Sequence, residues 1–113
     1  MKPNAIGYLS LAKKAGRIEI GEEAVGAAAR SGHARLLILA NDAPGRALRR
    51  ARNMVTCTDQ QMVLVPFTRE ELGAALGKSL ISFAAITDPA LALAFLQALE
   101  DPQRYAGALE NLT

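Results

Sequence analysis

The run Leu36-Leu37-Ile38-Leu39-Ala40 constrains this chain more than any other stretch. Five consecutive apolar residues without polar alternation describe a strand covered on both faces, so the fold needs a layer above it and a layer below. Helix signals on either side supply those layers. Asn4 caps a helix through Tyr8, Leu9, Leu11 and Ala12, with Lys13 and Lys14 in its last turn and Gly16 as the left-handed stop. Arg17 to Ile20 reads as a short strand. Gly21 opens a second helix with Glu22 and Glu23 in its first turn, ending near Ser31 and Gly32. Asn41-Asp42-Ala43-Pro44 ends the central strand and starts a third helix bearing Arg46, Arg49, Arg50 and Arg52.

Met62 to Val65 reads as another buried strand. Thr68-Arg69-Glu70-Glu71 fits a capping box, giving a short helix to about Leu76 that stops at Gly77. Leu80 to Ile86 reads as the last strand, and Asp88-Pro89 opens a final helix whose apolar side is Leu91, Leu93, Ala94, Leu96 and Leu99. The tail after Pro102 has room for one further turn. Alternating helices and strands predict an α/β fold with four strands in three layers and right-handed crossovers.

With 113 residues, half of them apolar and 21% charged, the chain is sized for one domain and one core. The expected domain spans residues 1–113, with a core from about 4 to 100 and a short C-terminal tail. Cys57 is the sole cysteine and no secretory start opens the sequence, so a reducing cytoplasm is the expected location. No apolar run approaches the roughly 20 residues of a membrane span. Charge is unevenly distributed. Residues 1–55 hold ten Lys/Arg against four Asp/Glu, whereas residues 56–113 hold three against seven. Such polarity fits a basic face turned toward a polyanion and equally fits solvated helices.

Few motifs carry chemistry. Gly73 to Ser79 ends like a phosphate-binding loop, but its glycines are one residue too close and it joins a helix to a strand, so Gly77 reads as a helix cap. His33 and Cys57 would both be needed for a soft metal site or a nucleophile pair; an exposed loop histidine and a semi-buried cysteine are the simpler readings. Asp42 reads as a turn or capping residue. Arg46, Arg49 and Arg50 share one turn of a helical face free of acid, an arrangement suited to phosphate oxygens or to plain solvation.

At Ala15-Gly16-Arg17, Gly21-Glu22-Glu23, Ala34 to Asp42, and Leu72-Gly73 through Gly77-Lys78, the sequence resembles the ribosomal-protein seven-Ae/thirty-e family of kink-turn RNA-binding proteins, specifically its bacterial YlxQ-like branch. The resemblance covers roughly residues 4 to 99. It implies a three-layer α/β/α sandwich with a four-stranded mixed sheet. In that family the start of the second helix enters the widened groove of a kinked RNA, and a loop before the Leu-Gly segment covers an extruded base. The corresponding regions are Ile20 to Ala27 and Val65 to Arg69, where helix amides would meet phosphates and Pro66 and Phe67 would shield the base. Kink-binding members place Thr, Asn and Glu after the glycine and a Lys three residues beyond that Glu. This chain has Glu22, Glu23 and Ala24, then Ala27.

The resulting expectation is a non-catalytic binder of structured RNA, either kink-turn or ribosomal RNA. Its site residues are Lys14, Arg17, Ile20, Gly21, Glu22, Glu23, Ala27, Asn41, Arg46, Arg49, Arg50, Val65, Pro66, Phe67, Thr68 and Arg69. The alternative is a ribosome- or translation-associated protein-interaction module that has lost kink-turn specificity. An enzyme ranks third, since the strand ends offer Asn41, Asp42, Thr87 and Asp88 without a His, Cys or Lys partner. Expected partners are structured RNA and ribosomal or translation proteins, with no membrane, metal or cofactor, and the chain is expected to be a monomer.

Overall fold

Four strands form where the apolar runs stand: β1 (Ile18–Ile20), β2 (Leu36–Leu39), β3 (Gln61–Leu64) and β4 (Phe83–Ile86), in the spatial order β1-β4-β2-β3. The computed structural model describes residues 4–56, 58 and 60–112; the expectation for Cys57 falls outside them. β4 pairs antiparallel with both β1 and β2, while β2 and β3 are parallel, so the sheet is mixed and open. Every residue of β2 and β4 is buried.

Residue alternation along β2 divides the core. Leu36 and Ile38 point into a larger cluster with Leu9, Leu72, Phe95 and Leu96, built by α1 (Ala5–Lys14), α4 (Arg69–Leu76), α5 (Pro89–Gln97) and α6 (Ala106–Leu112). Leu37 and Leu39 point the other way, into a smaller cluster with Val25, Ala47, Ala51, Phe83 and Ala85 under α2 (Glu22–Arg30) and α3 (Gly45–Val55). The result is the three-layer sandwich, with six α-helices among the described residues. Among the described residues no helix is long and apolar enough to cross a membrane.

Local signals fix the helix ends. Asn4 Oδ1 accepts from the Gly7 amide at 2.7 Å, and Asp88 Oδ1 from the Ala90 and Leu91 amides. The capping box is complete: the Glu71 amide donates to Thr68 Oγ1 at 3.1 Å and the Thr68 amide to Glu71 Oε1 at 2.9 Å. Gly77 takes the left-handed conformation at φ 74°, and the Lys78 amide donates back to the Gly73 carbonyl at 2.8 Å. That return brings the chain against Gly73, where a Cβ would stand 2.6 Å from the carbonyl oxygens of both Lys78 and Ser79.

Three expectations change. β3 is not a buried strand: it lies at the sheet edge, with β2 as its one strand neighbour among the described residues, so Val63 is buried, Met62 half-buried and Leu64 56% exposed. The last strand begins at Phe83, because Lys78 to Ser82 are spent turning back toward α4, where the Ile81 amide donates to the Arg69 carbonyl. The C-terminal tail is more than a turn. A 3-10 segment, Pro102–Tyr105, leads into α6, which buries Ala108 and packs against β3, while the Tyr105 hydroxyl donates to the Leu64 carbonyl at 3.3 Å.

Candidate nucleic-acid interface

Strand direction gathers the helix starts. β1, β2 and β3 run the same way, and their last residues are level: Ile20 pairs with Ala84, and Leu39 pairs with Phe83 on one side and Leu64 on the other. Helices α2, α3 and α4 therefore all begin at one rim of the sheet, called here the upper rim. Aligned peptide dipoles and unsatisfied amides make each helix start attractive to anions unless the chain's own side chains satisfy it.

The three starts are treated differently. α4 is closed by its capping box and by Asp42, whose Oδ1 accepts the Arg69 amide at 2.8 Å and pairs with the Arg69 Nε at 3.6 Å. Asp42 is thus the capping residue expected of it. α2 follows Gly21, whose φ of 97° and ψ of 149° suit glycine alone, and no side chain caps it. α3 follows Pro44, again without a side-chain cap. Two open helix starts remain, α2 and α3, while the Asn41 amide donating to the Phe67 carbonyl at 2.9 Å ties the approach to α3 to the approach to the capped α4.

Cations flank the open starts. On α3, Ala47 and Ala51 face the core, which turns Arg46, Arg49 and Arg50 to solvent. The Arg49 guanidinium lies back over Gly45, where a Cβ would meet Nη1 at 3.5 Å, so this charge sits at the start of α3. Arg50 Nη1 is held by Glu22 Oε2 at 2.7 Å, with both side chains about half exposed. Arg46 and Arg49 have no side-chain partner among the described residues.

The expected loop is less exposed than its sequence implies. Val65 is buried in the larger cluster, the Thr68 hydroxyl is committed to its cap, and Arg69 to Asp42. The half-buried Phe67 ring packs toward Phe95, 6.5 Å between centroids at 53°. Of the five, Pro66 alone is exposed. The expected set also omits Lys78 and Leu80, which line a concavity of about 370 Å³ with Ile20, Gly21 and Glu22. Leu80 is 56% exposed, and an exposed leucine beside a glycine-started helix was the available signal.

Three expected residues lie elsewhere. Arg17 stands where β1 begins, its carbonyl accepting the Thr87 amide, and Lys14 ends α1 just before it; both belong to the opposite, lower rim. Ala27 lines a concavity with Arg17 and His33 rather than with Gly21. The same geometry separates the polar residues weighed for catalysis, placing Asn41 and Asp42 at the upper rim and Thr87 and Asp88 at the lower. His33 is an exposed loop residue, its Nδ1 2.9 Å from Ser31 Oγ.

Residues 4–94 match the model of the ribosomal protein L7Ae/L30e/S12e/Gadd45 family. Comparison with curated protein sequences finds no match. Among solved structures, a protein of unknown function from Bacillus halodurans C is similar, with a TM-score of 0.71 and 22% identity over 96% of this chain and 99% of that one. The 15.5kD RNA binding protein of Giardia lamblia is similar with a TM-score of 0.68 and 19% identity, over 96% of this chain and 86% of that one. Both share the sandwich described above.

Proposed function

Because this chain belongs to the ribosomal protein L7Ae/L30e/S12e/Gadd45 family, we propose that it binds structured RNA, without performing chemistry on it, through the upper rim. The observation that carries this reading is the pair of helix starts without side-chain caps, α2 and α3, beside Arg46 and Arg49, which have no side-chain partner among the described residues. Amides and guanidinium groups there are free to meet phosphate oxygens, while the first turn of α2 reaches base edges. Exposed Pro66 and Leu80 are the apolar surfaces available to an unstacked base. The RNA-binding description of the Giardia neighbour supports the same reading. We take kinked RNA, including kinks within ribosomal RNA, as the target and the cytoplasm as the location. Assignment to the bacterial YlxQ-like branch rests on Ala15-Gly16-Arg17, Gly21-Glu22-Glu23 and Leu72-Gly73.

The test is binding of the whole chain to a kinked RNA, a plain duplex and a ribosomal RNA fragment over a series of salt concentrations. Preference for a kink-containing RNA, with log affinity falling linearly in log salt, is the expected result. Binding to none of them, or to all equally, overturns it. The second reading, a protein-interaction module, is favoured by one observation: Glu22 neutralises Arg50 and leaves Glu23 exposed at the same helix start. Crosslinking in cells that yields ribosomal proteins and no RNA would establish that reading instead.

A further inference from the structure

The upper rim accounts for only three of the ten cations in residues 1–55. Several others form a continuous path. Arg50 and Arg30 line one concavity of about 390 Å³ between α2 and α3. Arg30 and Arg35 line the next, of about 490 Å³. Arg35 and Arg17 line a third, of about 530 Å³, at the lower rim. Each hollow shares an arginine with its neighbour, so the sequence Arg50, Arg30, Arg35, Arg17 leads from the proposed RNA surface down the outer face of α2 to the far side of the sheet.

The path is built rather than incidental at its midpoint. Glycine weakens a helix interior, yet Gly26 occupies the middle of α2. A Cβ there would stand 3.1 Å from Arg30 Nη1 and 3.8 Å from Met54 Cε, so the missing side chain lets the guanidinium lie across α2 toward α3. At the lower rim, backbone bonds fix the other two arginines. The Arg17 carbonyl accepts from Thr87 and the Arg35 amide donates to Ile86, on opposite sides of β4, which sets their main chains roughly 10 Å apart. Arg30, Arg35 and Arg17 are exposed and have no side-chain partner among the described residues. Among the described residues, the carboxylates lining the hollows are Glu22, already paired with Arg50, and Glu19 beside Arg17.

We propose that this arginine path holds a second stretch of RNA phosphate backbone, so that an RNA seated at the upper rim continues down α2 to the lower rim. The proposal rests on the RNA reading above and extends its footprint. Arg30 on α2, with Arg50 beside it on α3 and Arg35 and Arg17 beyond its C-terminal end, gives four guanidinium groups suited to a run of phosphates, since arginine donates two parallel bonds to each. An RNA trimmed to its kink would not reach the lower arginines, whereas one with a lengthened stem would.

The experiment compares wild type with Arg17→Gln, Arg30→Gln and Arg35→Gln combined, on a kinked RNA with minimal stems and on the same RNA with either stem lengthened by a helical turn. The expected result is a salt slope lower by roughly two to three units, with affinity at least tenfold weaker, on one lengthened RNA alone. Equal loss on minimal and lengthened RNAs, or no loss on either, overturns the path and leaves the upper-rim reading standing. Failure of wild type to bind any of the RNAs overturns both. A photocrosslinker at exposed Asn53, between Arg30 and Arg50, supplies a measurement that removes no arginine; it should attach to the lengthened stem, and attachment to none of the RNAs rejects the path.

Discussion

Glu22 and Arg50 tie the first turn of α2 to the middle of α3 through a 2.7 Å contact across 28 residues of sequence. Both ends are about half exposed, so the pair adds no more than about 1 kcal/mol to stability. Its effect on binding is larger, because it removes one guanidinium from the surface that faces an anion.

Glu22→Gln should therefore release Arg50 with little change in folding. Affinity for RNA is expected to rise several-fold, and the salt slope to steepen by up to about one unit. Fluorescence anisotropy across a salt series reads both quantities. Unaltered affinity and slope would mean that Arg50 takes no part in binding.

Arg46 and Arg49 need no release. Replacing both by Gln keeps helix propensity and the buried Ala47 and Ala51 face, so circular dichroism should be unchanged. Binding to every RNA should weaken, with a slope lower by roughly one unit per arginine. Loss confined to one RNA would assign these side chains to base edges instead of phosphates.

Glu23→Asn with Ala24→Glu and Ala27→Lys supplies the side chains that the resemblance to kink-turn binders implies at the start of α2. The gain should favour kinked RNA over duplex, and the change at Glu23 should dominate it, because Ala27 faces the hollow that contains Arg17. Equal gains on both RNAs would show that the start of α2 does not read the kink.

Two glycine substitutions should differ in sign. Gly73→Ala drives a methyl into carbonyl oxygens 2.6 Å away, which neither helix nor turn can yield cheaply, and should cost about 3 kcal/mol. Gly26→Ala crowds the end of the Arg30 side chain at 3.1 Å, which can shift, and meets Met54 Cε at an ordinary 3.8 Å, so it should stabilise by about 0.5–1 kcal/mol. Denaturant midpoints measure both. Destabilisation by Gly26→Ala would mean that Arg30 is held more firmly than its exposure implies.

What the sequence made legible was local. Asn4, Thr68 with Glu71, and Asp88 act within three residues of themselves, and each caps the helix it announces. The unbroken run at Leu36 to Ala40 correctly demanded cover on both faces. Strand order was not legible: nothing in Gln61–Leu64 states that it has one strand neighbour, which is why β3 reads as buried when it is not. The same ignorance of direction mixed Lys14 and Arg17 with residues at the other rim. α6 was legible in principle, since Tyr105, Ala108, Leu109 and Leu112 follow helical spacing and all four meet the larger cluster. At the site, the types of residue were readable, but the Glu22 to Arg50 pairing and the inward turn of Phe67 depend on packing between distant elements.

The position of α6 bears on how the protein behaves at high concentration. A sheet edge with free amides and carbonyls is a template onto which another copy can add a strand, the first step toward aggregation. On one side that risk is limited by length, because β1 offers only three residues. On the other, α6 packs against β3 and Tyr105 occupies the Leu64 carbonyl, so part of that backbone edge is covered although the Leu64 side chain stays exposed. Proteolytic loss of residues 102–112 would thus uncover a strand edge as well as part of the larger cluster, and should show as turbidity together with a lower melting temperature, the last helix acting as the guard of a β edge.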